Sequence, residues 1–88
     1  MKTLILKKVD EYVSLLNTMF KLNSADFVKN NIPTIINNVW DESKSDQDNL
    51  NELKGMLTLN ANLNKHQGNN QASELIKIFL EQYLNDIN

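Results

Sequence analysis

Leu57-Thr58-Leu59-Asn60-Ala61-Asn62-Leu63-Asn64 is the stretch on which the fold class turns. Apolar and polar residues alternate strictly through it, and a period of two is the mark of a half-buried strand. A strand here would make the chain a mixed α and β protein. Three observations oppose it. Asparagine and alanine are poor strand residues. No second run of strand character exists for it to pair with, and an isolated strand has no stability. Leu53, Leu57 and Ala61 also recur every four residues, which puts them on one face of a helix together with Leu50. The segment is therefore read as the second half of a helix spanning about 46–65, with Gly55 weakening it by about 1 kcal/mol. Ser45, followed three residues later by Asp48, fits an N-terminal capping box for that helix.

The flanking segments support an all-α chain. Upstream, Ile5, Val9, Tyr12, Leu16 and Met19 step by four and three, with Leu6, Val13 and Phe20 in an adjoining row. This predicts an amphipathic helix over 3–22. Asn23-Ser24 interrupts the pattern, Ser24 has the chemistry of an N-cap, and Asp26 would favour the positive end of the following helix. A helical pattern then covers 25–41, with a break expected at Pro33. Proline inside a helix removes a hydrogen bond and clashes with the preceding turn, whereas in a first turn it is tolerated. The expectation is a short turn at 25–31 handing over to a new helix near Ile32. Downstream, His66-Gln67-Gly68-Asn69-Asn70 reads as a turn, and Ala72, Leu75, Ile76, Phe79, Leu80, Tyr83, Leu84 and Ile87 define a terminal helix over 71–87. About four helices joined by short connections make a small antiparallel up-and-down bundle. At 88 residues this is one domain near the lower limit of a self-sufficient core.

Composition narrows the function classes. Cysteine is absent, so disulfides and thiolate metal sites are excluded. The net charge is −2 and all nine cations are lysine. Arginine is the residue of bidentate guanine and phosphate contacts, and its absence from an acidic chain argues against nucleic acid as a partner. Fifteen asparagines are dispersed among periodic apolar residues in runs no longer than two. Lysine, asparagine and isoleucine all have AT-rich codons, so the excess is read as an AT-rich coding composition, and the dispersal opposes a prion-like tract. The apolar run near the amino terminus, Leu4-Ile5-Leu6, is too short for a secretory core of about 7–15 residues. No stretch approaches the roughly 18 apolar residues of a membrane span. A cytoplasmic location without membrane contact is the expectation.

Catalytic chemistry finds little footing. The single histidine, His66, lies in a polar turn, and Gly55 and Gly68 stand alone, so no phosphate loop forms. No catalytic residue, cofactor or metal is expected. The nearest approach to a metal motif is Asp41, Ser43, Ser45, Asn49 and Glu52, at positions 1, 3, 5, 9 and 12 of an EF-hand loop. Asp46 stands where that loop needs glycine, and Asp48 where it needs an inward apolar residue, so calcium is not expected.

Two binding surfaces are candidates. Asp41, Glu42, Asp46, Asp48 and Glu52 place five of the eleven acids within twelve residues, next to the only tryptophan, Trp40. An acidic loop beside an aromatic anchor suits a basic protein partner. The plainer role for Trp40 is core packing. The terminal helix is the second candidate: its apolar residues cover more of the circumference than one neighbouring helix needs, and Leu75, Phe79 and Tyr83 would form the face of a homodimer. In size and helical organisation the chain is similar to the small helical bundles that protect bacteria from their own bacteriocins. That likeness is one of architecture and transfers no residue role. The expected function is a non-catalytic, stoichiometric protein binder, such as an inhibitor, an immunity-type protein or a phage or mobile-element regulator. The alternative is a homo-oligomeric adaptor, chaperone or structural subunit.

Overall fold

A computed structural model describes residues 1–87, and the chain is all-helical over them. Four helices follow one another: α1 (Lys2–Thr18), α2 (Leu22–Val39), α3 (Asp46–His66) and α4 (Asn70–Ile78), the last passing into a π-helical segment, Phe79–Leu84. α1 packs on α2 and α3 on α4, so the bundle is two helical hairpins laid together, with α2 touching both helices of the second hairpin. Residues 57–64 are helical throughout. Leu50, Leu53, Leu57 and Ala61 are buried, while Leu59 and Leu63 face outward. The apparent strand alternation is the superposition of these two helical rows.

α1 ends earlier than its apolar pattern predicts, at Thr18 rather than residue 22. Phe20 adopts a left-handed backbone with φ 58°. The Phe20 amide donates to Asn17 O at 3.0 Å and the Lys21 amide to Leu16 O at 2.9 Å, the paired bonds of a Schellman cap. The α3–α4 turn repeats the device with Gly68 at φ 81°, Gly68 N donating to Lys65 O and Asn69 N to Asn64 O. Because α1 closes early, α2 starts at Leu22 and Ser24 lies within its first turn rather than capping it. The Ser24 hydroxyl is buried and accepts from Gln71 Nε2 at 2.9 Å, tying the two hairpins together.

The expected break at Pro33 is absent: α2 runs through it as one helix. Ala25, Val28, Ile32 and Ile36 are all buried on one face, and this burial on both sides of the proline outweighs its local cost. Two side chains bond to carbonyls of the neighbouring turn: Asn31 Nδ2 donates to Phe27 O at 2.8 Å and Thr34 Oγ1 to Asn30 O at 3.1 Å. In a continuous helix the proline remains unfavourable. Pro33→Ala is therefore expected to raise stability by about 2 kcal/mol, the helix-interior penalty less the entropy that proline removes from the unfolded chain. Urea unfolding measures it; an unchanged midpoint would show that the ring makes compensating contacts.

The terminal helix departs from expectation at its end. From Phe79 the turn widens to the π form. Phe79 and Leu84, five residues apart, are thereby both fully buried, and Tyr83 lies against Tyr12 with ring centroids 5.0 Å apart. Tyr12, Phe79 and Tyr83 form one aromatic stack. Nearby on α4, the Ser73 hydroxyl is buried without a hydrogen-bond partner among the described residues.

Candidate interaction surfaces

The antiparallel arrangement gives the bundle two unlike ends. At one end lie the start of α1 and the loop joining α2 to α3, where the Met1 amine approaches Asp46 at 3.8 Å. At the other lie the α1–α2 and α3–α4 turns, which share the Ser24–Gln71 hydrogen bond.

The α2–α3 loop is built around Asn49, a side chain fully buried at the start of α3. Its Oδ1 accepts from the Asp41 amide at 2.8 Å, and its Nδ2 donates to Asp41 O at 2.8 Å and to Lys44 O at 3.4 Å. One amide side chain thus stands in for backbone pairing across the loop. Asp41 closes a tight local turn, its Oδ1 accepting from the Ser43 amide at 2.9 Å and the Ser43 hydroxyl at 2.6 Å. Those hydrogen bonds hold the Asp41 carboxyl below its ordinary value. Ser45 caps α3 by accepting from the Asp48 amide at 3.1 Å, one half of the expected capping box. Lys44 Nζ bonds Glu52 at 2.7 Å, which holds the ammonium pKa above its usual range.

Asp41, Glu42, Asp46, Asp48 and Glu52 are all exposed. Glu52 is paired with Lys44 and Asp46 lies near the Met1 amine, leaving Asp41, Glu42 and Asp48 without a salt bridge among the described residues. Trp40 is the C-cap of α2, in extended conformation, and is partly buried against the core. The resemblance to a calcium loop does not survive folding. Helix α3 begins at Asp46, so only the first five of the twelve positions are loop, and Asn49 faces backbone atoms rather than a central cavity. Among the described residues no group of three or more metal-ligating side chains comes together.

The terminal helix turns its surplus apolar surface inward. Leu75 and Phe79 are buried in the core of the chain itself, and Tyr83 is partly buried beside them, so the expected dimer face is used within one copy. This is the arrangement of a central helix contacted from several sides.

No protein-family model, curated protein or solved structure matches this chain. Function is therefore read from its surfaces.

Among the described residues the most exposed aromatic is Phe20, at the far end of the bundle, a position that periodicity alone assigns to the first helix. Leu15, Met19, Phe20 and Leu22 crowd the α1–α2 corner and are all exposed. Beside them a groove of about 330 Å³ runs between α1 and α4, walled by Tyr12, Leu15, Met19 and Ile78 with Lys21 and Glu74 also lining it. A second, amide-lined crevice of about 500 Å³ lies between the two turns, with Asn23, Asn64, Asn69 and Gln71 around Phe27. His66, expected in a turn, is the exposed last residue of α3, and its side chain makes no hydrogen bond among the described residues. Among the described residues no helix is long and apolar enough to cross a membrane.

Proposed function

We propose that this chain is a non-catalytic protein-binding protein that acts stoichiometrically, in the manner of an inhibitor, immunity-type protein or mobile-element regulator, by presenting its α2–α3 loop to a basic protein surface. The observation that carries this reading is Asn49, which fixes the backbone of an acidic loop before any partner arrives. Binding costs include the ordering of loops, so a loop already held in place loses less entropy on association. Glu42 and Asp48 are exposed and unpaired among the described residues, free to meet lysine or arginine on a partner. Trp40 packs against the core through part of its surface and offers the remainder as an apolar contact beside those charges.

The test compares capture of the partner from its native cell by the parent chain and by a variant carrying Glu42→Lys and Asp48→Lys. Rim charges steer encounter and are screened by salt. The double variant is therefore expected to associate at least about tenfold more slowly and to lose most of its salt dependence, with an unchanged circular dichroism spectrum. Association kinetics identical to the parent would remove the acidic loop from the interface.

A further inference from the structure

We propose that the α1–α2 corner is a self-complementary surface through which two copies of this chain pair about a two-fold axis, Phe20 of each entering the α1–α4 groove of the other. The corner lies at the opposite end of the bundle from the acidic loop, so the inference stands apart from the partner reading above.

Phe20 is 88% exposed while holding a left-handed backbone. Gly68 fills the equivalent position of the α3–α4 turn without a side-chain penalty, whereas a non-glycine residue there costs about 1–2 kcal/mol. The cap's backbone bonds do not call for an aromatic side chain, and a ring so exposed makes little contact within one copy to offset that cost. Its neighbours are also out of place for an isolated chain: Leu15 is 49%, Met19 50% and Leu22 59% exposed. With Phe20 they give the corner an exposed apolar surface, of which Phe20 is the knob.

The complementary hole is next to it. The α1–α4 groove is lined by Met19 and Lys21, the residues on either side of Phe20, so knob and hole adjoin. Two-fold pairing requires that condition, since each copy must supply both halves of the contact. Charge supports the same occupant. Lys21 follows Phe20 in the chain and Glu74 lines the groove, yet neither forms a salt bridge within one copy among the described residues. When Phe20 enters the opposite groove, Lys21 is carried toward the partner's Glu74, and symmetry makes the pair twice. Area sets the strength. Taking about 200 Å² for a fully exposed large side chain, the four residues expose on the order of 500 Å² per copy. Two copies bury on the order of 1,000 Å², the lower edge of a specific interface, so the dimer is a weak one.

Sedimentation velocity on the full chain, from about 1 µM to about 1 mM, spans the affinities open to an interface of this size. The expected result is a reversible monomer–dimer equilibrium. Phe20→Gly should remain monomeric across the range while melting at a higher temperature than the parent, which shows that the fold is intact and the left-handed strain relieved. Lys21→Glu and Glu74→Lys should each weaken dimerisation by about tenfold, and the two together should restore it. A parent chain that is monomeric throughout, or a Phe20→Gly variant that dimerises as the parent does, overturns the proposal. So does a failure of the charge-swapped pair to recover.

Discussion

Asn49→Ala is expected to lower the stability of the fold by about 3 kcal/mol and to loosen the α2–α3 loop more than any other single change in it. The side chain is fully buried and makes three hydrogen bonds, all to loop backbone. Alanine leaves the Asp41 amide and the Asp41 and Lys44 carbonyls without their partner, and it leaves a small void at the first turn of α3. An unmade hydrogen bond in a partly buried setting costs about 1–3 kcal/mol, so the loss of several exceeds what a surface substitution gives. Asn49→Asp is the sharper probe. It keeps Oδ1 as the acceptor for the Asp41 amide but turns a second, charged oxygen toward two carbonyls. It should be at least as destabilising as alanine near neutral pH and recover part of the loss in acid, when the carboxyl regains a proton to donate. Urea unfolding with hydrogen exchange at Asp41 and Lys44 reads both effects. A loss below about 1 kcal/mol for Asn49→Ala, with unchanged exchange, would mean that the loop is held chiefly by Ser45 and Asp41.

This residue also marks where reading the sequence stops short. The acids of the loop are legible as a cluster because charge is visible in the letters. The task of Asn49 is not, because an asparagine at position 9 of a calcium-like spacing gives no sign that it faces backbone rather than solvent. The helices themselves are legible wherever burial and local chemistry agree. α3 is the clearest case: Ser45 accepts from the Asp48 amide, and Leu50, Leu53, Leu57 and Ala61 face the core. Where the two disagree, burial prevails. Pro33 marks a break by propensity, but the buried row Val28, Ile32 and Ile36 carries the helix through it. At Phe20 the reverse failure occurs. Nothing in a phenylalanine announces a left-handed turn, so the apolar pattern runs on to residue 22, whereas in the fold Ser24 is displaced from cap to buried contact. The π segment is hidden for a geometric reason: over six residues its wider turn shifts the buried positions by about one residue from the α pattern. Leu75 and Phe79 are visibly apolar, but periodicity cannot say whether an apolar row meets its own chain or a second one.

Raising the pH past 10 is expected to unfold the chain through Tyr12, and Tyr12→Phe is expected to resist that unfolding. Tyr12 is buried, its hydroxyl donates to Leu75 O at 3.0 Å, and its ring packs against both Phe79 and Tyr83. Burial pushes its pKa up to about 12, and the nearby Tyr83 and Glu74 act in the same direction. The ordinary value is about 10, so the folded state prefers the neutral phenol over the phenolate by a factor on the order of a hundred. Because the folded pKa is the higher one, this contribution is fully present below pH 10. It is lost as pH rises through about 12, where the folded hydroxyl must also ionise. Tyr83, raised chiefly by burial and further by Glu11, adds a contribution of the same sign. Denaturant midpoints should accordingly stay level up to about pH 10 and fall steeply between about 10 and 12. At neutral pH Tyr12→Phe gives up one buried hydrogen bond, at about 1 kcal/mol or somewhat more for the carbonyl left behind. In alkali it has no proton to lose. The two stability curves should therefore cross, the variant becoming the more stable protein above about pH 11, with Tyr83→Phe removing a smaller part of the slope. Parallel curves with no crossing would place the alkaline sensitivity on the lysines rather than on the aromatic stack.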